Sequence, residues 1–437
     1  MHGTRSIRRI AAAAVAAVLL PLAGGAAAQD KVIKIGVIYD YSGPYAAGGS
    51  ETHAWGTKLA IDMVNARGGT EGYRIQPTYA DAQSKTDVAI NEAERMLTQT
   101  GVDMIMGVFS SAHCVPLATK VDTAKKFFWI NTCISPAVLK DRHLRYVFRP
   151  QVHGGQFGEM SPDMLAEFSQ SKLGMDKKHL KVAIIHEDGP YGVGVAEGND
   201  RAARRHGMQV VLKEGYAATS PDLSSLITKL KRARPDVILH TGYNPDITLF
   251  LRQGREQGLR FKVLIGHGAG YGEVDRLYAA FGNDVDHIFD VDSVAATLLD
   301  PAKMAPEIAE VTNLLEKAYL AANPSAKQLT LHASIGFGHT WAFLNDVLPR
   351  AIRNHGGITP DALRQAALET DIPDGGTTQG YGIRFNPPEH EMAGQNNRAF
   401  PVIIQYIGGD MKLVWPPHVA PHEPVLPLPA KSPYAMR

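Results

Sequence analysis

The sequence predicts an α/β protein made of two doubly wound lobes. Three observations carry that reading. Short apolar runs alternate with amphipathic helical stripes, the order that sets parallel strands between covering helices. The alternation occurs twice, from residue 32 and again from residue 180. The 437 residues, 44% apolar and 20% charged, supply enough side chain for two cores at ~100–200 residues per domain.

In the first series a strand at 32–38 is followed by the turn Ser42-Gly43-Pro44. A helix over 51–66 then carries Trp55, Leu59 and Met63 on one stripe. Gly68 and Gly69 stop it, because glycine takes the left-handed cap at little cost. Strands follow near 74–80, 103–108 and 127–131, with helices near 85–99 and 113–126. The second series places strands at 180–185, 209–213, 236–240 and 262–266. Its helices fall near 192–206, 221–233 and 245–257. Ser220 as N-cap and Pro221 at the first helical position mark the start of the 221–233 helix. Helical patterns return at 304–322, 331–354 and 360–369, before strands near 380–385 and 400–407.

The two ends differ from the body. Residues 1–28 combine Arg5, Arg8 and Arg9, an apolar run at 11–22, and Ala26-Ala27-Ala28 as small residues for cleavage. That is the layout of a secretory signal, and it predicts export to a periplasm. Residues 416–437 carry seven prolines without periodicity and read as an extended tail.

Charge and motifs narrow the function. Lysine and arginine number 45 against 44 acidic residues, and removal of the first 28 residues leaves 42 against 44. Nucleic-acid binding is not expected from such a balance, since phosphate neutralisation needs a basic surplus. No GxSxG, HExxH or Walker A loop is present, so a catalytic role is not expected. His390-Glu391 opens a metalloprotease pattern, but Gly394 stands where the second histidine belongs. His332 and His339 lie two helical turns apart without a carboxylate partner in the motif, so neither a metal site nor a cofactor is expected. The glycine run 266–272 misses the GxGxxG spacing and reads as a turn lining a cleft.

Five fragments in order carry a family resemblance: IGVIYDYSGPYAAGG at 35–49, AIDMVNARGG at 60–69, MGVFSSAHCVPLA at 106–118, VAIIHEDGPYGVG at 182–194, and PDLSSLITKLKRARPDVILHTGYNPD at 221–246. Over about 31–407 the chain resembles periplasmic solute-binding proteins of ABC importers, in the branched-chain amino acid (type I periplasmic binding protein) class. The resemblance implies two lobes joined by a three-stranded hinge and closing on a ligand. Lobe 1 would comprise 31–152 and 294–398, and lobe 2 would comprise 153–293 and 399–415. It also implies a membrane permease as partner and a monomeric receptor.

The resemblance also assigns site residues. Ser111 would hold a ligand carboxylate at a helix start, and Ser135 would add a second hydroxyl, with Thr132 and Cys133 beside it. The backbone N–H groups of a helix start suit that anion. Tyr191 and Tyr243 match ligand-facing tyrosines, while Tyr45 and Phe109 would extend an aromatic wall. Gly48 falls near a position where amino-acid binders carry tryptophan, which implies a wider floor. Gly268 stands where they carry the glutamate that pairs with the ligand's ammonium. An ammonium buried without its partner costs ~3–5 kcal/mol, so the expected ligand is a carboxylate lacking an α-amine, such as an aromatic or keto acid. The alternative is that Asp40, Glu187 or Asp292 supplies the missing carboxylate and restores an amino-acid ligand. Cys114 and Cys133 follow adjacent strands at one sheet end. They are either bridged, as an oxidising compartment permits, or two separate thiols.

Overall fold

A computed structural model of the protein describes residues 31–436; the segment 1–28, expected to be a secretory signal, lies outside the described residues. Lobe 1 begins with β1 (Val32–Tyr39), α1 (Glu51–Ala66), β2 (Arg74–Asp81), α2 (Thr86–Arg95), β3 (Met104–Gly107), α3 (Ser111–Thr123), β4 (Phe127–Ile130) and the short β5 (Val147–Phe148). These strands form one parallel sheet in the order β2-β1-β3-β4-β5. The apolar runs predicted as strands are its buried centre: the consecutive residues Val37 and Ile38, Met104 and Ile105, and Phe127 and Phe128, which point to opposite faces, are all shielded from solvent. Burial on both faces is what a continuous apolar strand requires.

The second series gives α4 (Gly154–Leu173), β6 (Lys181–Glu187), α5 (Pro190–Arg205), β7 (Gln209–Tyr216), α6 (Ser224–Ala233), β8 (Val237–Thr241), α7 (Asn244–Glu256), β9 (Val263–His267), α8 (Ala269–Gly272), α9 (Val274–Phe281) and β10 (Phe289–Asp292). Then come α10 (Pro306–Ala322), α11 (Leu331–Ala342), α12 (Leu348–Asn354), α13 (Pro360–Leu368), β11 (Val402–Ile407) and β12 (Asp410–Trp415). The second sheet runs β12-β11-β10-β9-β8-β6-β7, with β11 antiparallel to both of its neighbours. Helix α11 returns to pack on α1 beside the first sheet. The chain therefore passes between the sheets three times: after β5, after β10 and before β11. No helix among the described residues is long and apolar enough to cross a membrane.

Several elements differ from expectation, each for a local reason. Helix α6 starts at Ser224 rather than Pro221: Leu223 is its N-cap, and the Asp222 carboxylate accepts the Ser224 N–H at 3.0 Å in a local turn that holds 221–223 out of the helix. The long helix expected over 331–354 is divided by a wide turn at Phe343–Val347 ahead of Pro349, whose nitrogen cannot donate. The strand expected near 380–385 makes only isolated bridges, Ile383 to Ile372 and Phe385 to Asn396.

The proline-rich segment is not a free tail. Tyr434 is buried, stacks on Phe261 at 5.4 Å and donates its hydroxyl to the Leu251 carbonyl at 2.9 Å. Leu426 and Leu428 are also buried, and the Leu428 N–H reaches the Lys262 carbonyl at 2.7 Å. Prolines removed the helical signal, but the apolar side chains between them dock on the second lobe.

Candidate functional site

A cavity lies between the lobes, where strand ends of both sheets face each other, the general ligand position in open α/β sheets. It holds about 390 Å³ of atom-free space, the open mouth included. From the first lobe it is lined by His53, Phe109, Ser111, Thr132, Ile134, His332 and Ile335. The second lobe adds Phe157, Tyr191, Tyr243, Gly268, Ala269 and Asp292, and Gln151 comes from the first crossover.

The wall of the first lobe is built by the turn from β3 into α3. Ser110 is the N-cap, its hydroxyl accepting the Ala112 N–H at 3.2 Å. Ser111, one residue on, faces the cavity and accepts the Ser135 N–H at 3.1 Å. Its hydroxyl proton is left free to donate, beside a helix start that favours anions. The Thr132 hydroxyl is buried at the cavity with no hydrogen-bond partner. Ser135 lies outside the lining, and its hydroxyl caps the short turn at Pro136–Val138.

Cys133 is also outside the lining, and its sulfur is bonded to Cys114. The bridge, with Cα atoms 6.4 Å apart, ties α3 to the loop after β4. Of the two arrangements open to this cysteine pair, the structure has the disulfide. Behind it Arg149 is fully buried and donates to the Ser135 carbonyl at 2.8 Å and to Gln395 at 2.7 Å. Burial lowers its pKa to about 9.

The second lobe contributes the aromatic surface. Tyr191 sits in the first turn of α5, held by Glu187, whose carboxylate accepts the N–H groups of Gly189 and Gly192 at 2.7 and 2.6 Å. Its hydroxyl donates to the His267 carbonyl. Tyr243 precedes α7, where Asp246 accepts its N–H at 2.9 Å. The two rings lie 5.4 Å apart, and Phe109 stands 6.1 Å from Tyr243. Tyr45 does not line the cavity but packs behind Tyr243, its ring tilted, with centroids 4.4 Å apart. Gly48 is buried at the lobe contact: a Cβ there would lie 3.7 Å from the Asn244 nitrogen, so no wider floor opens at that point.

Gly268 follows β9 with φ +52°, ψ −151°, a conformation suited to glycine. A Cβ at this position would lie 3.6 Å from Asp292 Oδ2. Of the three acids considered as substitutes for the absent glutamate, only Asp292 faces the cavity. Asp40 is engaged by the Ser84 N–H at 2.8 Å and His113 at 3.1 Å, and Glu187 is consumed by its loop. Asp292 Oδ1 accepts the Ser293 N–H at 2.7 Å, while Oδ2 is buried without a hydrogen bond. Nearby Asp290 is pushed well above the usual carboxylate range by burial and then by the charge of Asp292.

Several cavity residues were not expected from the sequence, among them His53, Phe157 and His332. His332 Nδ1 lies 2.6 Å from Glu273 Oε1, and its Nε2 is 3.4 Å from Asp292 Oδ2. Burial opposes its charge, but its close contacts with the carboxylates of Asp292 and Glu273 prevail and raise its pKa to about 10. His53 stacks on it at 4.5 Å and is driven well below the ordinary histidine value by burial, then by His332. His339 is separate, bonded in the core to the Asn131 carbonyl and the Tyr381 hydroxyl. The partners of His332 are 59 and 40 positions away, so no local motif announces it.

A model of the family described as periplasmic binding protein matches residues 32–396. The chain belongs to the periplasmic binding protein family. Among its relatives, the Leu/Ile/Val-binding protein homolog 7 of Brucella suis is 32% identical over 421 residues, covering 96% of this chain and 99% of the relative. The isoleucine complex of the branched-chain amino acid transporter substrate binding protein LivJ from Streptococcus pneumoniae shares the fold. It does so with a TM-score of 0.70 at 19% identity, covering 88% of this chain and 100% of the other. A fatty acid ABC transporter substrate-binding protein from Thermomonospora curvata superposes with a TM-score of 0.71 at 20% identity, covering 88% and 92%. As a periplasmic binding protein, the chain is a receptor and not an enzyme. It has the expected two-lobed α/β fold.

Proposed function

We propose that this binding protein captures an apolar α-amino acid, of the branched-chain kind, in a periplasm and delivers it to an ABC importer. The observation that carries the reading is Asp292: a buried carboxylate oxygen without a hydrogen-bond partner, facing the cavity beside Gly268. An ammonium group would satisfy it, and leaving such an oxygen unpaired is costly. Ser111 and Thr132 stand across the cavity as partners for the ligand carboxylate, with Phe109, Ile134, Tyr191 and Tyr243 around the side chain. The reading replaces the expectation of a ligand lacking an α-amine, which rested on the glutamate absent from position 268. The names of the relatives support the same class. The basic, apolar and small-residue segments of 1–28 support export.

Calorimetric titration with leucine and with its keto analogue, on protein stripped of carried ligand, tests this. Leucine, isoleucine or valine is expected to bind at least a hundredfold more tightly than the keto acid. Binding of keto or aromatic acids with none of the amino acids would overturn it. That second reading has one observation in its favour: His332 already lies 3.4 Å from Asp292, which lessens the need for a ligand ammonium.

A further inference from the structure

Two buried carboxylates stand at the acidic side of the cleft, Asp292 in the cavity lining and Glu273 behind the His332 ring, while an apolar amino acid carries one ammonium. His332 lies between them on the far side of the lobe boundary. It belongs to α11, which packs on the first lobe, whereas Glu273 precedes α9 and Asp292 ends β10 in the second. The space around the imidazole is shaped for it. A Cβ on Gly272 would stand 2.7 Å from Nε2, and one on Gly49, which has φ +121°, would collide with Nδ1. The groups facing the ring are His53 from α1, Glu273, and Asp292 with Asp290 behind it from β10; Arg276 of α9 stands 3.6 Å from the outer oxygen of Glu273.

We propose that His332 is a specificity-determining residue, a resident cation that fills one half of a doubly acidic subsite. The ligand then needs a single ammonium and an uncharged side chain. A cationic side chain finds its place taken, and without His332 one buried carboxylate would be left for a second positive group. Because the pair spans the lobes, the same contact favours the closed cleft. This inference rests on the amino-acid reading for its ligand but not for the interlobe contact.

The test compares wild type, H332A and H332Q, each stripped by unfolding and refolding, by calorimetry with L-leucine and L-ornithine. Wild type is expected to bind leucine at least a hundredfold more tightly than ornithine. In H332A leucine should weaken at least tenfold, the preference over ornithine should narrow at least tenfold, and added imidazole at pH 6.5 should restore leucine binding. H332Q, near in size but uncharged and filling the space, should weaken without rescue. Wild-type leucine affinity in both variants would overturn the proposal. So would equal losses for both ligands without rescue, in variants whose melting shows them folded. If wild type binds neither amino acid, the ligand reading fails instead, and small-angle scattering of ligand-free protein still decides the contact. H332A should be more open than wild type and should compact on adding imidazole; identical radii would refute the resident cation.

Discussion

The two walls of the cleft are built by different means. The first lobe presents neutral donors, Ser111 and Thr132, on a strand–turn–helix that one short stretch of sequence encodes. The second presents Asp292 among tyrosines, with Glu273 behind it across the His332 ring, brought together from strand ends and loops far apart in the chain. One wall suits an anion, and the other suits a cation. A zwitterion bridging them would be held only when the lobes meet, which couples recognition to closure.

The largest effect should come from removing the charge of the acidic wall. Asp292→Asn keeps an acceptor for the Ser293 N–H and relieves repulsion with Asp290, but it removes one of the two acids beside His332, so the melting temperature should fall as well. Leucine affinity should fall by ~3–5 kcal/mol, hundreds- to thousands-fold, because the ligand's ammonium loses its buried partner. Calorimetry and a melting curve on the same variant separate the two quantities. Unchanged affinity would remove the acidic wall from recognition.

The next effect is in pH. The pKa of His332 is raised from 6.5 to about 10 in the folded protein. Its stabilisation is therefore complete below about pH 6.5 and is lost as pH rises through about 10. Each unit is worth ~1.36 kcal/mol, so a few kcal/mol are at stake. Wild type should lose melting temperature more steeply than H332Q between pH 7 and 10. Parallel slopes would mean that the imidazole is not charged between its two acids.

The same contrast explains what was legible beforehand. The parallel strands followed from apolar runs such as 32–38 and 180–185, since a strand covered on both faces leaves a continuous signal, whereas their order in each sheet did not. Ser111 and Tyr191 were readable because a residue just after a strand end is placed by local chain direction. The second-lobe wall was less so. Strand β10 reads Phe289-Asp290-Val291-Asp292, and its two acids leave no continuous apolar run to mark it. His332 and His53 acquire their opposite protonation preferences only from burial and from each other, which no spacing encodes. The docked tail was hidden in a similar way, because Tyr434 finds Phe261 only across the folded surface.

The first wall has its own brace. The Cys114–Cys133 bridge closes a loop of 19 residues, for which chain entropy gives about 3 kcal/mol. Replacing both cysteines by alanine should lower the unfolding free energy by about that much in denaturant titration. Leucine affinity should fall as well, because α3 and the Thr132 loop are no longer tied. An unchanged denaturation midpoint would show that packing alone holds these loops.

The finest test uses adjacent serines on that wall. Ser110 and Ser111 differ in role by one position: the first caps α3 behind the cavity, and the second faces into it. Ser110→Ala should cost about 1 kcal/mol of stability, as lost caps do, while leucine affinity changes less than threefold. Ser111→Ala removes the acceptor for the Ser135 N–H and also a donor to the ligand carboxylate. A hydrogen bond to a charged group contributes ~1.5–3 kcal/mol, so affinity should fall about ten- to a hundredfold. If the two variants lose stability alike and neither loses affinity, the helix start is structural and the neutral wall is not where the carboxylate is held. If only Ser111→Ala loses affinity, the anion end of the cleft is located to within one residue.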